Sequence, residues 1–234
     1  MQRNKRMSEE LKVRTNYLEI TDLEKIELKT EQDGNSRYYV DTNGARYPSV
    51  TTVVGLSTRD HIKLWRDRVG EEEANRISTT AARKGTKFHD LVERYLRREE
   101  PEIMFENLIQ EGQFKSIQPI LDEIIPFAIE PVLYSDRLKM AGRADCIGML
   151  DGAITMLDWK TSAKYKKEEY AKPWYLQMTA YSIMVEELTG QPIDEIMAVV
   201  ALENAQFQVF VSNPVEHVQD LVDLRNRYKN LYGI

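Results

Sequence analysis

Cysteine is almost absent from this chain of 234 residues, which contains one, Cys146. A single cysteine excludes an internal disulfide and any zinc or iron–sulfur site built from cysteine alone. Long apolar runs are also missing, since no stretch approaches the roughly 18 residues that cross a bilayer, and no membrane partner is expected. The hydrophobic content of 42% and the charged content of 30% are ordinary for a globular protein with a sizeable core.

An excess of basic charge is lacking too, because the formal net charge is −6. DNA is still a possible partner, since DNA binding needs only a local basic surface and metal-binding carboxylates count as negative until a cation binds. The N-terminal MQRNKRMSEE has no apolar segment of the kind found in secretory signals, and its acids come too early for a mitochondrial presequence. A cytoplasmic location is therefore expected.

The sequence pattern predicts a polar, flexible tail over 1–16 and a single domain over 17–234. Inside that domain, a β-hairpin region over about 24–55 precedes a core over about 60–234. Two short strands surround the turn Asp33-Gly34-Asn35, and the β-branched segment ARYPSVTTVVGL extends the hairpin region to Gly55.

The core begins with helical patterns over about 60–69 and 71–83, followed by a longer helix with the sequence KGTKFHDLVERYLRRE. Residues 101–124 are also predicted helical, punctuated by prolines. Three strands then follow, namely PFAIEPVLYS, LKMAGRADCIGML and AITMLDWKTS. A helix over about 173–188, two further strands and a closing helix over 214–230 complete an α/β layered domain.

Two acids and a lysine stand at the ends of two strands that an Asp151-Gly152 turn connects. Asp145 and Asp158 are about equally far from this turn, so they are expected to form a cross-strand pair. Period-two alternation places Lys160 on the same face as Asp158. Facing carboxylates repel each other unless a cation such as Mg²⁺ lies between them, and the lysine can orient water or stabilise charge on a phosphate. A lone Asp-x-Lys triplet also occurs by chance, usually at a solvated strand edge.

Several other polar side chains have both a functional and a structural interpretation. His89 and Glu93 are one helical turn apart, so Glu93 either orients a metal-binding His89 or pairs with Arg97. Glu130, in an apolar strand, has either a role at the metal or an ion pair with Arg143. Gln177 and Tyr181 are also one helical turn apart. They either contact a DNA phosphate together, or Tyr181 belongs to the core.

Together these residues resemble the RecB-like branch of the PD-(D/E)xK nuclease superfamily. Its motifs are G-x-x-x-H on a helix, G-x-x-D and D-x-K on successive strands, and Q-x-x-x-Y on the next helix. All four occur here in order, at Gly85/His89, Gly142/Asp145, Asp158/Lys160 and Gln177/Tyr181. Over roughly residues 46–212 the sequence is most similar to the mitochondrial genome maintenance exonuclease group and its phage relatives, through segments such as YPSVTTVVG, KGTKFH and YLQMTAY.

The resemblance implies a restriction-endonuclease-like core with a mixed central sheet flanked by helices. It also implies a DNA exonuclease that prefers single strands or free ends, requires Mg²⁺ or Mn²⁺, and has partners in replication, recombination or repair. The implied metal ligands are His89, Asp145, Asp158 and the backbone carbonyl of Trp159. Lys160 would be catalytic, and Gln177 and Tyr181 would bind DNA.

The chain departs from some RecB-like relatives. It cannot build their four-cysteine iron–sulfur cluster, and it has no G-x-x-x-x-G-K-[ST] phosphate loop, so ATP is not an expected ligand. A bacterial or phage source is favoured over a mitochondrial one. Two alternatives to the exonuclease stay open: a structure-specific endonuclease on the same fold, and a catalytically silent DNA-binding module.

Basic residues surround the proposed site and alternate with aromatic ones, which favours unstacked single strands, although a solvated lysine-rich loop is an equal alternative. Lys87 precedes His89, and Lys164 follows the Asp-x-Lys strand. Ser49 and Thr51, in the PSVTT segment, offer hydroxyl groups to phosphate.

Overall fold

The computed structural model describes residues 18–34, 36–99 and 104–234; the flexible tail predicted for 1–16 lies outside this range. The first described elements are a 3-10 turn at Ile20–Lys25 and a small antiparallel sheet in the order β1-β2-β3. Its strands are β1 (Lys29–Asp33), β2 (Ser36–Val40) and β3 (Arg46–Pro48). The predicted β1–β2 hairpin is confirmed, with Asp33 paired to Ser36.

The β-branched segment after β3 forms a short helix, α1 (Val50–Val54), so the expectation that the β region runs on to Gly55 was wrong. Its N-cap is Ser49, whose hydroxyl oxygen accepts a hydrogen bond from the Thr52 N–H at 3.1 Å. The buried residues Val50, Val53 and Val54 follow helical spacing, so burial and capping outweigh the preference of valine for strands.

Two helices follow, α2 (Arg59–Val69) and α3 (Glu71–Arg97). The helix predicted over about 71–83 and the longer helix predicted for KGTKFHDLVERYLRRE form one continuous helix, α3, and Gly85 lies in its interior. Its second half buries Phe88, Leu91, Val92 and Leu96, whereas no side chain between 75 and 87 is buried. The first half of α3 therefore projects from the core. The next helix, α4 (Leu108–Glu123), contains Pro119 rather than ending at it.

The central sheet has the order β10-β9-β8-β7-β4, with β8 and β9 parallel and the other pairs antiparallel, which confirms a mixed sheet. The expected strands PFAIEPVLYS and LKMAGRADCIGML each break in two, and their inner halves form a separate two-stranded sheet, β5-β6. The strands are β4 (Ile125–Ile129), β5 (Val132–Ser135), β6 (Met140–Arg143), β7 (Cys146–Leu150), β8 (Ala153–Ser162), β9 (Glu195–Leu202) and β10 (Phe207–Ser212).

The last two helices are α5 (Lys172–Thr189) and α6 (Val218–Tyr232). One face of the sheet packs with α1, α5 and α6, and the other with α3 and α4. Neighbours along a strand alternate between these cores: Met156 belongs to the first and Leu157 to the second. Within the described ranges, no helix is long and apolar enough to cross a bilayer.

Candidate active site

The candidate site lies where the two long strands of the sequence prediction are broken. Asp145 directly precedes β7, and because Cys146 pairs with Leu157, the next position in the register puts Asp145 opposite Asp158. The predicted cross-strand placement thus agrees with the observed register. Glu130 lies at the other break, with a φ of 52°, and its N–H donates to the Asp145 carbonyl at 2.9 Å. The two interruptions bring both acids to the same point.

The Asp145 carboxylate is the centre of this arrangement. Its Oδ2 accepts a hydrogen bond from the Trp159 N–H at 2.8 Å and lies 3.3 Å from Nδ1 of His89. His89 comes from the buried half of α3, which packs against the same face of the sheet as Trp159. A helix and two strands therefore fix one carboxylate.

Glu130 completes a cluster that the sequence indicated only as an accessory possibility. One ligand atom each of His89, Glu130 and Asp145 lies within 4.8 Å of the others, and this is the group of potential metal ligands found among the described residues. Asp158 is not in that group. Its Oδ1 accepts hydrogen bonds from Lys160 Nζ at 2.8 Å and from Gln177 Nε2 at 3.2 Å.

Burial and charge perturb the ionisation of these side chains. Burial raises the pKa of Asp158 to about 6 against the opposing charge of Lys160. Burial also raises the pKa of Glu130 to about 7, with Asp145 adding to it. At His89, burial opposes the charged form, but the Asp145 carboxylate outweighs it and the pKa rises to about 9. Burial also lowers the pKa of Lys160, but the negative charges of Asp158 and Asp145 raise it by more, so the lysine keeps its proton.

The donor set fits a divalent cation with a preference for oxygen. Two carboxylates and one imidazole converge, and the Asp158 carboxylate lies beside them. The positive charges of Lys160 and His89 offset part of this negative charge. Oδ2 of Asp158, which is 1% exposed, accepts no hydrogen bond from the described residues, although Lys160 Nζ lies 2.6 Å away as an ion-pair partner. Carboxylate oxygens suit Mg²⁺ and Mn²⁺, and buried carboxylates of this density are otherwise costly.

The structure shows the surroundings of three residues for which the sequence left two interpretations open. Glu93 forms an ion pair with Arg97 at 3.0 Å, which is the structural alternative, and does not orient His89. In the described part of the chain no ion pair joins Glu130 to Arg143, whose side chain is exposed at the end of β6. Tyr181 is 2% exposed, so its ring belongs to the core and does not offer a surface for direct DNA contact.

Tyr181 instead explains a motif glycine. A Cβ added to Gly142 would lie 2.8 Å from Cε1 and 2.9 Å from the hydroxyl oxygen of Tyr181, closer than real Cβ contacts. The glycine of G-x-x-D and the tyrosine of Q-x-x-x-Y are therefore packing partners. They hold β6 against α5, beside the break that positions Asp145.

This contact predicts opposite effects for two glycine substitutions. We expect Gly142→Ala to destabilise the fold by about 1–3 kcal/mol, because Tyr181 and β6 must separate. Gly85→Ala is the matched control: its Cβ would meet nothing within 4 Å, and alanine inside a helix is more stable than glycine by about 0.5–1 kcal/mol. Urea unfolding of both variants measures the difference, and a Gly142→Ala protein as stable as wild type would contradict the contact.

The residues predicted to contact DNA lie on several surfaces. Lys87, on the projecting half of α3, forms an ion pair with Glu106. Lys164 is exposed in the loop after β8, where its backbone bonds with the Ser162 hydroxyl. The Ser49 hydroxyl is buried and occupied as the cap of α1, so its predicted role in phosphate binding is not supported.

Thr51 is exposed, and its hydroxyl accepts a hydrogen bond from the Arg37 guanidinium at 3.3 Å. Arg37 itself was missed in the sequence, because only the pairing of β2 with β3 brings it beside the PSVTT segment, where the Ser49 N–H donates to its carbonyl. Ser49 and Thr51 are uncharged, so Arg37 is the residue among these three that adds positive charge near the N-terminus of α1.

Comparison with known proteins agrees with this architecture. The chain belongs to the PD-(D/E)XK nuclease superfamily, whose family model matches residues 58–231. It is similar to mitochondrial genome maintenance exonuclease 1 of Homo sapiens, with 27% identity over 186 residues that cover 74% of this chain and 54% of that protein. The Mus musculus counterpart is 31% identical over 146 residues, covering 57% and 43%. The chain thus spans about half the length of the curated relatives that it matches.

Proposed function

We propose that the protein is a metal-dependent deoxyribonuclease that hydrolyses phosphodiester bonds from free ends of single-stranded DNA, in replication, recombination or repair. The observation that carries this proposal is the convergence of His89, Glu130 and Asp145 beside the Asp158–Lys160 pair. Membership of a nuclease superfamily and similarity to proteins named as exonucleases support it.

The cation would be held by His89, Asp145, Asp158 and the carbonyl of Trp159, with Glu130 as an additional ligand. In an antiparallel ladder the N–H and C=O of one residue point to the same side. The Trp159 N–H points to Asp145, so its carbonyl also points to this side, beyond the end of β7. When bound, Mg²⁺ or Mn²⁺ would polarise the phosphate and lower the pKa of a bound water.

Lys160 would act through its charge. Its ammonium is held against Asp158. Burial is the largest single effect and lowers the pKa of Lys160, but the charges of Asp158 and Asp145 and the hydrogen bond to Asp158 together raise the pKa by more. A lysine that keeps its proton is a poor base but a good electrostatic partner for negative charge that develops on a phosphate. This favours charge stabilisation over deprotonation of water. Gln177, which donates to the same carboxylate, would keep Asp158 oriented rather than bind DNA directly.

The DNA surface would run from the projecting half of α3 to the loop after β8. Two of its lysines already have acidic partners, since Lys84 pairs with Glu203 and Lys87 with Glu106. The loop after β8 contributes Lys164 together with Tyr165, whose ring is more than half exposed. Exposed aromatic rings among cations suit unstacked bases, which supports single strands as the substrate.

End-labelled linear single strands in Mg²⁺ or Mn²⁺ test the proposal, with an excess of chelator as the metal control. We expect release of label that stops when the cation is removed. A closed single-stranded circle of the same sequence should resist digestion. Cleavage of the circle would instead favour the endonuclease, and binding without any cleavage in either metal would leave only a DNA-binding module.

A further inference from the structure

The edge strand β10 differs from β4, at the opposite edge of the same sheet, and from β1. Its sequence, FQVFVS, contains no charged residue and no proline, and Phe207, Val209 and Val211 are 42%, 38% and 45% exposed. Natural edge strands usually avoid this combination, because a flat apolar edge is a template for pairing with another chain. In the described part of the molecule, β9 is the one strand that pairs with β10.

Two other edges are protected. At the opposite edge of the central sheet, the Glu24 carboxylate accepts a hydrogen bond from the Ile129 N–H at 2.6 Å, so the turn Ile20–Lys25 covers β4. One edge of the small sheet is β1, with the sequence KTEQD, which is fully exposed and rich in charge. The protein thus blocks pairing at two edges and leaves β10 open.

We propose that β10 is a self-association surface, on which a second copy of this chain pairs its own β10 in antiparallel orientation. The proposal is independent of the nuclease activity. Its register follows from the pairing with β9. The Leu202 N–H donates to the Gln206 carbonyl, so the alternate residues Gln208 and Phe210 bond toward β9, and the backbone groups of Phe207, Val209 and Val211 point outward.

A two-fold axis at Val209 matches these outward groups. Val209 then lies opposite Val209 of the second copy, and Phe207 lies opposite Val211. All three pairs are of the hydrogen-bonded kind, so each outward N–H and C=O finds a partner, and a large apolar side chain faces a smaller one. If the register shifted by one residue, the backbone groups that point away from β9 in one copy would face residues of the other copy whose backbone groups point toward its own β9.

The charges beside the strand are complementary in this register. The Lys166 backbone is bonded to the Gln208 side chain, which places the cationic loop near one end of β10. Glu216 lies near the other end, where Ser212 donates to its carboxylate at 3.4 Å. Antiparallel pairing sets the Lys166 end of one copy against the Glu216 end of the other.

Space is also sufficient for the helices. α4 packs mainly over β9, on the face that carries Val209. Three strand spacings, about 14 Å in total, separate β9 of the two copies, and two packed helices need about 8–10 Å. The two copies of α4 would therefore flank the paired apolar side chains without collision.

Cysteine cross-linking tests the register directly, because the native Cys146 is buried. Val209→Cys should form a disulfide-linked dimer under mild oxidation, since hydrogen-bonded pairs have Cα atoms about 5.5 Å apart. We expect it to form at least about tenfold faster than with Val215→Cys, a control that is 76% exposed outside the strand. Val211→Cys alone should not cross-link, but a mixture with Phe207→Cys should.

Sedimentation of the untreated proteins provides the second measurement. The wild type and Val215→Lys should be dimers, and Val209→Lys should be a folded monomer with unchanged activity per chain. Self-pairing is overturned if the wild type sediments as a monomer at its highest soluble concentration, or if Val209→Cys cross-links no faster than Val215→Cys. A monomeric wild type would leave the DNA-cleavage proposal untouched.

Discussion

Asp145→Asn should abolish both divalent-cation binding and DNA cleavage, because Asp145 is the side chain that the other site residues share. Its carboxylate accepts the Trp159 N–H, contacts His89 and belongs to the same ligand group as Glu130. An amide keeps the size of the side chain but removes the negative charge. A cation contributes several kcal/mol to such reactions, so we expect cleavage to fall on the order of 10³-fold or more.

Calorimetry with Mn²⁺ and digestion of labelled single strands measure the two effects. Glu93→Gln is the matched control, since it removes one acid that lies a helical turn from His89 but pairs with Arg97. The control should retain cation binding and most of the activity. An Asp145→Asn protein that cleaves within tenfold of the wild type would show that the metal centre lies elsewhere.

Lys160→Ala should reduce cleavage by about 10²–10³-fold, the effect of losing one group that stabilises charge in a transition state. It should also destabilise the metal-free fold, because Asp158 is buried and would lose its counterion. Breaking a buried ion pair typically costs about 3–5 kcal/mol. The exposed Lys164→Ala serves as the control for removal of a lysine and should change stability little.

The stability loss in Lys160→Ala should depend on pH with a definite sign. Burial raises the pKa of Asp158 to about 6 even with Lys160 present, and removal of the lysine raises it further. The folded state then holds its proton more tightly than the unfolded state, so the stability is retained at low pH and lost as the pH rises through the folded pKa. Denaturant unfolding at pH 5 and pH 8 checks this, and equal losses at both would contradict it.

Much of this architecture follows from local pattern. The hairpin around Asp33, the mixed sheet and the placement of Asp145 opposite Asp158 agree with predictions from strand alternation and turn position. The chemistry of an acid pair with a nearby lysine was recognisable because strand periodicity fixes which side chains share a face.

Other features depend on contacts between distant segments and could not be read from the sequence. The two long predicted strands break at Glu130 and Asp145, where the Glu130 N–H donates a hydrogen bond to the Asp145 carbonyl, 15 residues further along the chain. The valines of α1 form a helix because their burial against α5 and α6 outweighs local preference. Gly85 indicated a helix start, yet α3 continues through it from Glu71 to Arg97. The buried apolar residues that hold this helix against the core all lie in its second half, between Phe88 and Leu96, apart from Ala74.

The contact between Gly142 and Tyr181 has a consequence for how relatives are recognised. Neither residue provides a ligand or a charge, and each is required by the shape of the other. A chain can therefore lose its ability to cleave while retaining both, because selection on folding alone preserves them. The glycine and the tyrosine of these two motifs thus indicate ancestry rather than activity. Under the proposed function, the residues that would separate a working enzyme from an inactive descendant are His89, Glu130, Asp145, Asp158 and Lys160.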